Sequence, residues 1–149
     1  MVVKEVMTAN PACCTRDTAL REVARMMVEN DCGEIPVVEN KESNIPVGVV
    51  TDRDIVCRTV AKGINPLETT ADDCMSQPVV TVTPDMSVEE CGAMMQEKSI
   101  RRVLVVDTRG SCCGIVALAD LALHGKKKVA GEVVKEVSQP RAAAAAPAR

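Results

Sequence analysis

Residues 48–56 read GVVTDRDIV: a β-branched run, then Thr51 with two aspartates close behind, then apolar residues again. A strand ending in a turn that opens a helix accounts for all three parts. β-branched residues suit a pleated strand, and Thr or Asp at a helix start can accept hydrogen bonds from its first free N–H groups. The same pattern returns in residues 114–122, GIVALADLA, where Gly114-Ile115-Val116 repeats Gly48-Val49-Val50 and Asp120 repeats Asp54 at an offset of 66. Further upstream the offset is 68. Met7-Thr8 recurs as Met75-Ser76, Thr15-x-Asp17 as Thr83-x-Asp85, Met26-Met27 as Met94-Met95, and Val37-Val38-Glu39 as Val105-Val106-Asp107. The two lost residues fall in the loop between Glu39 and Gly48, where a deletion disturbs least. Internal repetition of this kind decides the architecture before any other signal.

Each copy predicts a β-α-β-β-α unit. Strands are expected at 12–15, 34–39 and 46–51, and again at 79–82, 102–107 and 112–117. The first helix of copy one has its apolar residues at Leu20, Val23, Ala24, Met27 and Val28, the helical spacing. Copy two has Val88, Cys91, Gly92 and Met95, with Ser87 and Glu90 placed to form a capping box. The second helices are expected at 52–61 and 118–123. One unit alone is too small to bury much apolar surface. The expected fold is therefore α/β (α+β), with two repeats packed sheet to sheet in pseudo-twofold symmetry. The repeats run over 1–62 and 71–125, joined by a linker at 63–70. A C-terminal helix at 126–140 and a disordered tail at 141–149 follow; Lys127 to Val137 keeps a helical period, Pro140 stops it, and RAAAAAPAR has nothing to pack.

Composition removes several function classes. The 149 residues carry a net charge of −3 and include no Phe, Tyr or Trp. A nucleic-acid binder would show a basic footprint or aromatic stacking platforms, and neither is present. A bound purine would have to lie between aliphatic side chains. With His124 as the single histidine, a Ser-His-Asp or Cys-His catalytic site would have to use it, and a surface position at a helix end suits it better. The start MVVKEVMTAN lacks a signal-peptide core, and no run reaches membrane-span length, so a cytoplasmic protein without membrane contact is expected. The eight cysteines contain no CxxC; Cys13-Cys14 and Cys112-Cys113 are adjacent pairs on expected strands, while Cys57 and Cys91 sit at apolar helical positions and read as small core residues.

The duplicated order of Met7-Thr8, MMVENDCGEIPVV, GVVTDRDIV, KSIRRVLVV and GIVALADLA resembles a tandem pair of CBS domains, a Bateman module, over residues 1 to about 125. The chain is similar to small stand-alone bacterial CBS pairs of the hypoxia-response type. That resemblance implies a regulatory module rather than an enzyme, with no obligatory cofactor. It implies an adenosine ligand of the AMP, ADP, ATP, NAD or S-adenosylmethionine class, bound in clefts between the repeats. It also implies a homodimer formed through the first helices, which carry the paired methionines, and signalling in trans to an unidentified effector.

Residue by residue, the resemblance makes Thr51 and Asp54 the ribose contacts of the first turn. Asp120 is kept in the second, where Ala117 replaces the hydroxyl. A carboxylate can accept from both hydroxyls of a cis-diol. The Thr51/Asp54 turn is therefore expected to dominate. Arg101 and Arg102 stand where a basic pair meets phosphate, Arg53 lies between the ribose residues, and Gly33-Glu34 supplies no cation. The adenine is expected against Ile35, Pro36, Val80, Val82 and Ile100. No metal ligand set is assigned. Two other functions stay open: a ligand-free dimeric interaction module, and a cysteine-based redox or metal sensor. Thr51 and Asp54 could also do no more than cap their helix.

Overall fold

The computed structural model describes residues 1–124. The expected helix at 126–140 and tail at 141–149 lie outside them. In chain order the elements are α1 (Val3–Val6), β1 (Thr8–Ala9), β2 (Cys14–Thr15), α2 (Leu20–Glu29), β3 (Glu34–Val38), β4 (Pro46–Thr51), α3 (Asp52–Arg58), α4 (Ala71–Cys74), β5 (Thr81–Val82), α5 (Val88–Lys98), β6 (Arg102–Val106), β7 (Cys112–Ala117) and α6 (Leu118–His124). The result is a mixed α/β fold with two sheets, one in each of two units.

The unit Ala12–Val79 holds a sheet in the order β2-β3-β4, parallel then antiparallel. Its core comprises Leu20, Val23 and Met27 from α2 with Ile35, Val37 and Val50 from the sheet and Ala71, Cys74 and Met75 from the segment after the first repeat. Two backbone bonds tie that segment to the sheet: Val49 N–H donates to the Ser76 carbonyl at 3.1 Å, and Ser76 N–H to the Val49 carbonyl at 2.8 Å. The other unit joins Met1–Pro11 to residues 80–124, with sheet order β1-β7-β6-β5. Here Thr8 pairs with Ile115, the position equivalent to Val49. Its core is Val3, Val6, Val82, Val88, Cys91, Met95, Val103, Val105, Val116 and Leu121. Each unit thus takes an edge segment from outside its own repeat.

Gly48 and Gly114 show why the repeated strand begins as it does. A Cβ at Gly48 would stand 2.8 Å from the Met75 sulfur and 3.1 Å from the Ser76 carbonyl oxygen, and one at Gly114 would collide with Met7. The borrowed methionine occupies the space a side chain would need. Gly48→Ala is expected to destabilise by about 1–3 kcal/mol, the usual range for overpacking. Thermal melts check this; an unchanged midpoint would mean that Met75 relocates without cost.

Several expected boundaries move. The helix expected at 52–61 ends at Arg58, because Thr59 leaves helical angles (φ −121°, ψ −77°) and turns its hydroxyl back onto the Ile55 carbonyl. A single 3₁₀ turn, Val60–Lys62, follows, and Gly63 closes it at φ 71°. The strand expected at 12–15 pairs only over Cys14–Thr15; beyond it a local turn, with Thr15 N–H bonded to the Thr18 hydroxyl at 3.0 Å, redirects the chain into α2. Cys91 is a core residue, as expected, whereas Cys57 is half-buried and outside the core. Met27 and Met95 are buried, and Met26 and Met94 pack on the same cores, so the leftover apolar surface of α2 is Val28, 82% exposed.

Candidate functional site

The two aspartate turns, alike in sequence, differ in their surroundings. At the first, Thr51 is the N-cap of α3. Its hydroxyl accepts from Asp54 N–H at 3.0 Å, while Asp54 Oδ2 accepts from Thr51 N–H at 2.9 Å. Asp54 Oδ1 accepts from the Ser76 hydroxyl at 3.0 Å and faces Arg58 Nε at 3.6 Å. Asp54 is 0% exposed. Thr51 and Asp54, expected as ribose contacts with helix capping as the other reading, are both buried and bonded to each other, and Asp54 also meets Ser76 and Arg58. Arg53 enters no ion pair among the described residues, and Glu34 stands opposite Thr51 in the sheet. Neither Ser76 nor Arg58 was singled out as a site residue. Arg58 carries a local signal, because Asp54 and Arg58 are four apart on one helix face.

At the second turn, Ala117 N–H donates to Asp120 Oδ2 at 2.7 Å. Asp120 is half-buried, and its other oxygen makes no bond among the described residues. Arg102 pairs directly with Ala117 across the sheet, and Leu118 N–H donates to the Arg101 carbonyl at 2.8 Å. Both arginines are exposed and enter no ion pair among the described residues. The fold therefore brings the backbone of the basic pair beside the start of the turn that carries Asp120, within one unit. Val80 and Ile100, partly buried, pack on that unit's core, and Val82 is inside it at 2% exposure. Ile35 and Pro36 belong to the other unit, where both are buried. The site residues read from the sequence are thus divided between the two units.

The CBS domain family pattern matches residues 3–58 and 71–126. The chain belongs to the CBS domain family. Among similar proteins, an uncharacterised protein of Methanopyrus kandleri is 41% identical over 118 residues, 79% of this chain and 57% of that protein. Hypoxic response protein 1 of Mycobacterium tuberculosis is 30% identical over 141 residues, 95% of this chain and 96% of that one. The crystal structure of Hypoxic Response Protein I, described with two coordinated zinc ions, superposes with a TM-score of 0.73 at 30% identity, covering 83% of this chain and 98% of that one. A CBS domain protein of Pyrobaculum aerophilum, solved with AMP, has a TM-score of 0.75 at 25% identity over 91% and 99% of the two chains. This chain is accordingly a tandem CBS-pair regulatory module, and no described helix is long and apolar enough to cross a membrane.

The cysteines of this CBS pair are mostly shielded from solvent. Among the described residues no three His, Cys, Asp or Glu side chains gather into a metal site. Burial pushes the Cys14 and Cys91 thiols up to about 11, and raises Cys74 and Cys113 as well. A thiol so held is protonated at neutral pH and a poor nucleophile or ligand. Exposed Cys32 is expected to react first with an alkylating agent, and Cys14 and Cys91 only on unfolding. Mass-mapped labelling checks the order; rapid modification of Cys14 in the folded protein would contradict it.

Proposed function

We propose that this CBS pair senses an adenosine nucleotide of the AMP class and passes its state in trans to an effector protein, as a cytoplasmic homodimer. The observation that carries the reading is the second turn: two arginines without an ion pair among the described residues flank the turn that carries Asp120, whose second carboxylate oxygen is unbonded among those residues. A carboxylate acceptor for ribose hydroxyls and a forked cation for phosphate are the two polar groups an adenosine monophosphate needs. The AMP bound by the Pyrobaculum relative supports the ligand class. Val80 and Ile100 offer the aliphatic surface that a chain without aromatics must use for the base.

The ranking inferred from hydroxyl count is reversed in this proposal. Asp120, Arg101 and Arg102 form the working site, whereas Thr51 and Asp54 hold their own helix. Phosphate would meet Glu34 beside the first turn and two arginines beside the second. Arg101→Ala is expected to weaken AMP by about 1.5 kcal/mol, roughly tenfold, and to leave plain adenosine nearly unchanged. Calorimetry with the two ligands separates these outcomes. Nucleotide released on denaturing the purified protein would support the reading directly. Absence of heat or thermal shift with AMP, ADP, ATP, NAD and S-adenosylmethionine would leave the ligand-free interaction module in its place.

A further inference from the structure

We infer that Ser76 and Arg58 act as a built-in occupant of the first turn, closing Asp54 to nucleotide, so that the chain has one working adenosine turn instead of two. The inference rests on the adenosine reading above and adds which side chains set the number of sites. A ribose would present hydroxyl donors to the Asp54 carboxylate. Ser76 already presents one, at 3.0 Å from Oδ1. Arg58 holds that hydroxyl in place: its Nη2 donates to Ser76 Oγ at 3.3 Å, its Nη1 to the Met75 carbonyl at 3.2 Å, and its Nε faces Asp54 Oδ1 at 3.6 Å.

The Ser76 backbone is itself fixed by the two bonds to Val49, so the hydroxyl is delivered by the sheet edge and not by a mobile loop. A donor tethered in this way competes at high effective concentration with any free diol. Displacing it would also strand polar groups in a buried place. Arg58 Nε is buried and has no hydrogen-bond partner among the described residues, and removing Asp54 from it would leave only solvent-poor surroundings.

Among the described residues, the second unit shows no such device. Thr8 takes the place of Ser76, paired with Ile115 as Ser76 is with Val49, but it is exposed and makes no bond to Asp120. Arg58 has His124 as its counterpart in the repeat. One turn is thus closed from within, and among the described residues nothing closes the other, although both keep the aspartate.

Calorimetric titration with adenosine, which avoids any phosphate repulsion by Glu34, tests the inference. The native chain is expected to take one adenosine per chain, and Arg58→Ala combined with Ser76→Ala to take two. Two sites in the native chain, or one site still in the double variant, would overturn the closure while leaving the adenosine reading intact. No binding by either protein would overturn both. If the double variant does not fold, Asp120→Asn in the otherwise native chain decides: loss of all binding supports the closure, and a surviving site at one per chain refutes it.

Discussion

Asp54→Ala is expected to lower the melting temperature by about 10 °C and to change AMP affinity by less than twofold. The carboxylate is the hub of the first turn, bonded to Thr51 N–H and the Ser76 hydroxyl and facing Arg58. Its removal leaves the Thr51 N–H and Ser76 hydroxyl without an acceptor, and the Arg58 guanidinium without its anion, in a region where Asp54 itself is 0% exposed. Loss of a helix cap costs about 1 kcal/mol. Breaking a buried ion pair costs about 3–5 kcal/mol. Because the Arg58 side chain is 31% exposed, solvent screens part of that, and the lower end, about 3 kcal/mol, is expected. For a chain of this size each kcal/mol corresponds to about 2–4 °C. A large fall in AMP affinity with an unchanged melting temperature would put the ligand at Asp54 and overturn the assignment.

Asp120→Ala should do the opposite. It removes one bond from the fold, the 2.7 Å contact with Ala117 N–H, so stability should fall by no more than about 1 kcal/mol. The nucleotide would lose its charged acceptor for ribose, worth about 1.5–3 kcal/mol, or roughly tenfold to a hundredfold in affinity. The pair of variants exchanges the two readouts, stability and binding, between two residues that the repeat makes equivalent. Native affinity in Asp120→Ala, measured by calorimetry, would reject the second turn as the site.

That equivalence comes from the repeat, which is written in the sequence itself. The duplication, the strand-turn-helix at GVVTDRDIV and the capping box of Ser87 and Glu90 were all legible, and α5 begins where that box places it. So was the helical spacing of Leu20, Val23 and Met27, all buried. These features are local: hydrogen bonds three residues apart and apolar periods of one helix turn are written in neighbouring letters.

The residue types of the proposed site are written in the sequence, whereas the enclosure of one aspartate turn is not. Counting hydroxyls favoured Thr51 over Ala117, and nothing local reveals that Asp54 is enclosed. Tertiary structure decided that Met75-Ser76 closes onto the sheet of the first repeat and Met7-Thr8 onto that of the second. It also decided that Ser76 reaches Asp54 across 22 residues of chain, while Arg101 and Arg102 come to lie beside the Asp120 turn through strand pairing. Repeat and local hydrogen bonding determined the elements by themselves. Which aspartate faces solvent depended on contacts between distant segments, whose free energy comes from packing a whole unit and leaves no mark in any short stretch of sequence.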